Sequence, residues 1–239
     1  MVAKTTDRSG SSSASIQGLL LVDKPAGMTS HDVVQHVRRA YGERSIGHLG
    51  TLDPFATGLL VLLIGRATRL ATFIETEPKV YDATIRFGSE TDTDDATGTV
   101  IRTSTPPRES EIRSALESLT GAISQIPPAY SAKSVEGIRA YDAARRGKPL
   151  ELAPVSVTVH SWELRNLTND SLSATITCSG GTYVRALARD LGRLAGSAAH
   201  LEALRRTRVG PFDVRDAATL ETIADKPSRV RALRVVPDA

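Results

Sequence analysis

Apolar and polar positions change period several times along this chain, and the changes mark its elements. Gly18 to Val22 is a continuous apolar run that reads as a buried strand ending in a loop from Asp23 to Ser30. Ser30 stands where it can cap a helix over 31–41, with Asp32 in the first turn and Gly42 as terminator. Leu59 to Ile64 reads as a second buried strand, followed by a short helix over 67–75. From Lys79 to Phe87 the period becomes two. Tyr81, Ala83, Ile85 and Phe87 share one face and Asp82, Thr84 and Arg86 the other, the pattern of a half-buried antiparallel strand. Val155, Val157 and Val159 alternate in the same way, as do Leu172, Ala174, Ile176 and Cys178. Helical spacing appears at Ile112, Ala115, Leu116 and Leu119. It returns at Val184, Leu187, Ala188, Leu191 and Ala195, after a Gly180-Gly181 turn with Thr182 as cap. These elements predict an α+β fold, a mixed and largely antiparallel sheet flanked by helices. Residues 126–150, with two prolines, two glycines, several basic residues and little periodicity, read as an excursion from the core.

Composition narrows the class. With 239 residues and 40 % hydrophobic content, the chain can bury a sizeable core. Cys178 is the only cysteine, which excludes an intrachain disulfide and fits a reducing, cytoplasmic setting. Residues 1–17 read as a disordered leader, Ser/Thr-rich and without the apolar segment of a signal peptide. No run is long enough for a bilayer, so no membrane role is expected. Net charge is +3 and the sequence pI about 9.2. Arg185, Arg189, Arg193, Arg205, Arg206, Arg208 and Arg215 face only Asp190, Glu202 and Asp213, a balance that favours phosphate contacts over a merely solvated helix face. The histidines lack metal-ligand spacing: His31 and His36 are five apart and off a common helical face. Residues 92–98 resemble a calcium loop only in their first acids, since Ala96 and Thr103 stand at the fifth and twelfth positions. They read as an acidic turn. These spacings give no metal site.

The stretch GHLGTLDPFATG over 47–58 carries the candidate chemistry. It holds one acid, Asp53, in a Gly/Thr-framed loop between apolar runs, with His48 five positions upstream. Pro54 keeps Asp53 out of the α region and so constrains the carboxylate. Tyr81 lies on the inward face of its strand, where core packing and a site role are equally open. Tyr183 and Arg185 lie at a helix start, where a cation opposes the helix dipole and needs a carboxylate, for which Asp53 is the first candidate.

Taken in order, Asp23-Lys24-Pro25 with Gly27 and Thr29-Ser30, Gly47 to Gly58, Lys79 with Tyr81, Pro127 to Ala132, Cys178 to Arg185 and His200 to Arg206 resemble the bacterial TruB-type tRNA pseudouridine-55 synthase family. The resemblance spans residues 19–212. It implies the pseudouridine synthase fold with a thumb-like insertion at about 126–150, a catalytic domain over 18–215 and a short C-terminal segment over 216–239 without a complete PUA-like domain. It further implies Asp53 as the catalytic aspartate and Arg185 as its partner. His48 would contact RNA beside the flipped nucleotide, Tyr81 stack on the target base, and Tyr183 and Leu204 line the pocket. The implied reaction is isomerisation of a uridine in the T-arm loop of tRNA, by a monomer acting without cofactor, metal or guide RNA. Three positions depart from the pattern: Lys133 stands one place early, Arg66 replaces a common Glu, and the chain stops short of the PUA-like domain, from which weaker tRNA affinity is expected. Two rivals are the guide-RNA-dependent archaeal and eukaryotic branch, disfavoured by the 126–150 insert, and a tRNA-folding chaperone, disfavoured by the intact Asp53, Tyr81 and Arg185.

Overall fold

The computed structural model describes residues 16–225, apart from Ala132 and Glu136, so the expected leader lies almost wholly outside the described residues, as does the end of the C-terminal segment. The chain runs β1 (Gly18–Lys24), α1 (Ser30–Tyr41), β2 (Ile46–His48), β3 (Thr57–Ile64), a 3-10 segment (Gly65–Phe73), β4 (Lys79–Phe87), β5 (Ser89–Thr91) and β6 (Val100–Thr103). It continues through α2 (Glu109–Ser118), β7 (Gly121–Gln125), β8 (Ser134–Val135), β9 (Ile138–Arg139), α3 (Ala140–Arg145), β10 (Val155–Leu167), β11 (Ser171–Cys178), α4 (Val184–Leu194), β12 (Ala199–Val209), β13 (Phe212–Asp213) and α5 (Leu220–Asp225). Nine strands form one sheet with the path β1-β3-β12-β4-β11-β10-β7, to which β2 and β13 attach at β3 and β12. Every pairing in it is antiparallel except β3 with β12, so the α+β reading with a mixed, largely antiparallel sheet holds.

The unbroken apolar run of β3 reflects burial on both faces. Leu60, Leu62 and Ile64 pack with Val33, Val34 and Val37 of α1, while Leu59, Val61 and Leu63 pack with Leu19, Leu21 and Val209 behind. Removing each such side chain from water stabilises by about 1.5–3 kcal/mol, which fixes the register against a one-residue slip. The alternating face of β4 joins Leu172, Ala174 and Ile176 of β11 under α2 and α4.

Local signals were partly misread. Thr29, not Ser30, caps α1: its Oγ1 accepts from Asp32 N at 3.0 Å and the Asp32 carboxylate accepts from Thr29 N at 2.9 Å. This reciprocal box outcompetes a cap one residue later. Thr182 does not cap α4; Tyr183 holds that position without a side-chain cap. The segment after Ile64 is 3-10 rather than α-helical and begins at Gly65. Residues 126–154 run outside the nine-stranded sheet and, among the described residues, carry the small β8–β9 pair and α3.

Candidate functional site

The loop bearing Asp53 emerges where β3 changes partner. Along one edge of β3, Leu62 to Ile64 pair with β2, whereas Thr57 and Gly58 pair in parallel with Arg205 and Arg206. Residues 49–56 fill that break. Gly58 has φ +103°, and a Cβ there would run into the backbone of Arg206, so glycine is what lets β12 approach. Three side chains pin the loop from behind. Ser30 Oγ donates to Leu52 O at 3.1 Å and accepts from Leu52 N at 2.9 Å. Lys24 is fully buried, its Nζ donating to the carbonyls of Met28 (2.8 Å), Pro25 (2.9 Å) and Pro54 (3.2 Å). Arg206, also buried, donates to Gly50 O, Thr51 O and Leu59 O.

Asp53 meets Arg185 in a two-pronged ion pair, Nε to Oδ2 at 2.9 Å and Nη2 to Oδ1 at 3.0 Å. The guanidinium is 5 % exposed and the carboxylate 34 %, so one partner is sequestered while the other opens to the cleft. Arg185 is held further by Thr93 O and Tyr130 O, both at 2.9 Å, with Asp95 Oδ2 at 3.7 Å. One turn along α4, Arg189 binds Asp94 (2.8 Å), Asp190 (2.9 Å) and Ile126 O (2.8 Å). The acidic turn, bland in the sequence, therefore supplies counter-charge to two buried arginines. It is seated on β12 by Ala96 N to Leu201 O and Leu201 N to Asp94 O. Burial raises Asp94 to about 6, outweighing Arg189 beside it. Gln125, unflagged in the sequence, takes over the missing cap of α4: its Oε1 accepts from Tyr183 N at 2.9 Å and its Nε2 donates to Tyr183 O at 3.2 Å. No local spacing marks Gln125, Asp94 or Asp95, because each acts on a residue at least ninety positions away or across the insert.

The candidate residues converge, His48 excepted. The carboxylate of Asp53 acts electrostatically on Tyr81, Tyr183 and Lys24. Tyr81 is 7 % exposed and shares a cluster with Leu52, Ala56 and Leu204. Burial raises both tyrosines, against Arg206 at Tyr81 and the Ser131 hydroxyl at Tyr183. His48 sits apart from the carboxylate, at the end of β2 opposite Leu62, beside His31 and Arg206. Burial and those two basic groups lower it, which keeps the ring neutral near pH 7, and its Nδ1 is buried without a hydrogen-bond partner.

The basic C-terminal stretch is met only in part. Most of the arginines read as a phosphate-binding tail are committed elsewhere: Arg185 and Arg189 as above, Arg193 to Glu90, Arg205 to Asp23, Arg206 to carbonyls and Arg215 to Asp213. Burial of one face of α4 turns Arg185 and Arg189 into internal ion-pair partners, while Arg193, Arg205 and Arg215 pair nearer the surface. The insert adds a further group of exposed basic residues, Lys133, Arg139, Arg145, Arg146 and Lys148.

An arginine-clamped aspartate near a buried tyrosine, on a loop filling the gap between β2 and β12, agrees with what comparison with known proteins finds. Residues 38–184 match the family model of the TruB family pseudouridylate synthase N-terminal domain, and residues 185–234 that of the tRNA pseudouridylate synthase B C-terminal domain. The class is thus pseudouridylate synthase. Among relatives, tRNA pseudouridine synthase B of Thermobifida fusca is 50 % identical over 217 residues, covering 87 % of this chain and 74 % of its own. That of Rhodococcus jostii is also 50 % identical over 217 residues, covering 88 % and 71 %. This chain belongs to the TruB family. Among solved structures, a Cbf5–Nop10–Gar1 complex superposes with a TM-score of 0.68 at 27 % identity, over 87 % of this chain and 54 % of the matched chain. An H/ACA RNP bound to a substrate RNA containing 2'-deoxyuridine gives 0.64 at 25 % identity, over 87 % and 52 %. The chain spans about half the length of those two structural relatives.

Proposed function

We propose that this chain isomerises uridine-55, in the T-arm loop of tRNA, to pseudouridine, and that Asp53 is its essential group. The observation that carries the reading is the bidentate Asp53–Arg185 pair, buried on the arginine side and open on the other. Isomerisation breaks the bond from uracil N1 to ribose C1', turns the base and joins C5 to the same carbon. Positive charge develops at the sugar as the bond breaks, and an ionised carboxylate serves there as nucleophile, base or electrostatic stabiliser. Arg185 favours the ionised form and aims it. A uridine inside a folded loop must swing out of its stack to reach Asp53, and Tyr81 supplies a face that offsets the lost stacking. His48, neutral and at the edge of the cleft, contacts the RNA beside the everted nucleotide, while Tyr183 and Leu204 close the pocket. The insert at 126–150 acts as a thumb whose exposed cations grip the phosphate backbone. The enzyme works on tRNA alone, as a cytoplasmic monomer, without guide RNA.

The test is tritium release from tRNA transcript labelled at uridine C5, with primer-extension mapping of the product. Wild type is expected to release one tritium per tRNA at position 55 without added RNA. Asp53→Asn is expected to lose at least about a hundredfold in rate, the scale of a missing charge-stabilising group. Turnover by Asp53→Asn within a few fold of wild type, or a requirement for a second RNA, would contradict the reading.

A further inference from the structure

Arg189 repeats the bonding scheme of Arg185 one turn along α4, but Asp53 is not among its partners. The residue is 7 % exposed. Its Nη1 donates to Asp94 Oδ2 and its Nη2 to the carbonyl of Ile126, both at 2.8 Å, while Nε donates to Asp190 Oδ1 at 2.9 Å. Arg185 gives Nη1 to the carbonyl of Thr93 and Nη2 to that of Tyr130, both at 2.9 Å. Each guanidinium therefore spans the same two segments, the acidic turn and the root of the insert. Two carboxylates already meet the charge of Arg189, so its bond to Ile126 serves geometry rather than charge balance. Gln125, fully buried at the end of β7, adds a third tie through both backbone groups of Tyr183. Three successive levels at the start of α4 thus hold residues 125, 126 and 130. Between the last two lie Pro127 and Pro128, whose fixed φ stiffens the span. The exposed cations of the insert begin three residues further on, at Lys133.

We propose that Arg189 is a positioning residue for the RNA: it locks the root of the insert to the acidic turn and so fixes the distance from the insert's cations to Asp53. This rests on the isomerase reading above, with the insert as the grip on the backbone, and deepens it. An insert free at its root would present gripped RNA at many distances from the cleft. Held through Ile126 and the two prolines, it presents the strand in one register, and the everted uridine arrives at the carboxylate. A misplacement of about 1 Å costs up to about a hundredfold in rate, even when its cause lies far from the reacting atoms. With the root released, the cations still meet phosphates and binding survives, while the base reaches Asp53 less often. The loss therefore falls on the rate at saturation rather than on affinity.

The experiment follows single-turnover pseudouridine formation on tRNA transcript against enzyme concentration. It compares wild type, Arg189→Lys, Pro127→Ala with Pro128→Ala, and all three changes together. Arg189→Lys leaves Asp94 a counter-charge, but an ammonium cannot span acid and carbonyl as the planar fork does. It is expected to lower the maximal rate about tenfold while the half-saturating concentration moves by less than about threefold. Loosening the proline span is expected to act in the same direction. The combination should be no slower than the worse of the two, as for residues that work through one shared part. A folded Arg189→Lys with an unchanged maximal rate, a loss confined to half-saturation, or effects that multiply in the combination would overturn the proposal. Should Arg189→Lys not fold, the proline variant decides: it must lower the maximal rate, and an unchanged rate overturns the proposal. Wild type that forms no pseudouridine would instead sink the isomerase reading itself, before any variant is compared.

Discussion

At the scale of single residues, the candidate site is organised by buried cations around the proposed catalytic acid. Arg185 binds Asp53 and two backbone carbonyls from different loops, so its removal leaves a carboxylate and two carbonyls unsatisfied at once. Arg185→Met is expected to destabilise the fold by about 3–5 kcal/mol in urea unfolding, the range for removing one partner of a buried pair. Arg185→Lys should recover only part of this, because an ammonium cannot reproduce the planar fork. A loss under about 1 kcal/mol for Arg185→Met would show that the pair contributes little to stability. The sequence disclosed Asp53, Tyr81, Tyr183 and Arg185 because each stands in a conspicuous local setting: an Asp-Pro turn, an alternating strand, a helix start after a double glycine. It concealed Gln125, Asp94 and Asp95, whose partners lie far along the chain.

At the scale of elements, the strands were legible and the caps were not. The two-residue period of β4 and β11 follows from one buried and one open face, a requirement that burial imposes on every residue and that the sequence repeats. A cap is a contest between neighbouring side chains for one amide, and Thr29 wins because Asp32 reciprocates. Ser30, freed from capping, bridges both backbone groups of Leu52, next to Asp53 in its loop. Ser30→Ala is therefore expected to lower turnover severalfold on the tRNA substrate while costing about 1 kcal/mol of stability, as for one lost hydrogen-bond pair. Thr29→Ala should cost a similar amount of stability through the lost cap and leave turnover nearly unchanged. Equal effects of the two on turnover would dissociate Ser30 from the loop. The insert makes the third case. With the α4 and β12 arginines internally paired, combined Arg139→Ala, Arg146→Ala and Lys148→Ala should flatten the salt dependence of tRNA binding by about one unit of slope per lost phosphate contact. An unchanged slope would remove the insert from the RNA-binding surface.

For the molecule as a whole, the fold buries cations behind the aspartyl loop, and stability should record that through pH. Burial brings Lys24 from 10.5 down to about 8, although Asp53 pulls the other way. Between those values the unfolded chain holds a proton that the folded chain has released, so the unfolding free energy rises with pH in that window and not below it. Urea denaturation from pH 7 to 10 should show this rise, and Lys24→Met should flatten it; an identical slope in both proteins would mean that Lys24 keeps its proton in the fold. What the sequence by itself determined is the class of fold, the sheet's alternating and doubly buried strands, and the candidacy of Asp53, because periodicity and turn chemistry are local properties that neighbouring residues write directly. Only the tertiary structure decided which arginines are free and which are spent on internal acids, which side chain caps each helix, and that the aspartyl loop rises from a break between β2 and β12. Those outcomes depend on long-range pairing and burial, and a charge counted along the chain carries no record of what it will face across it.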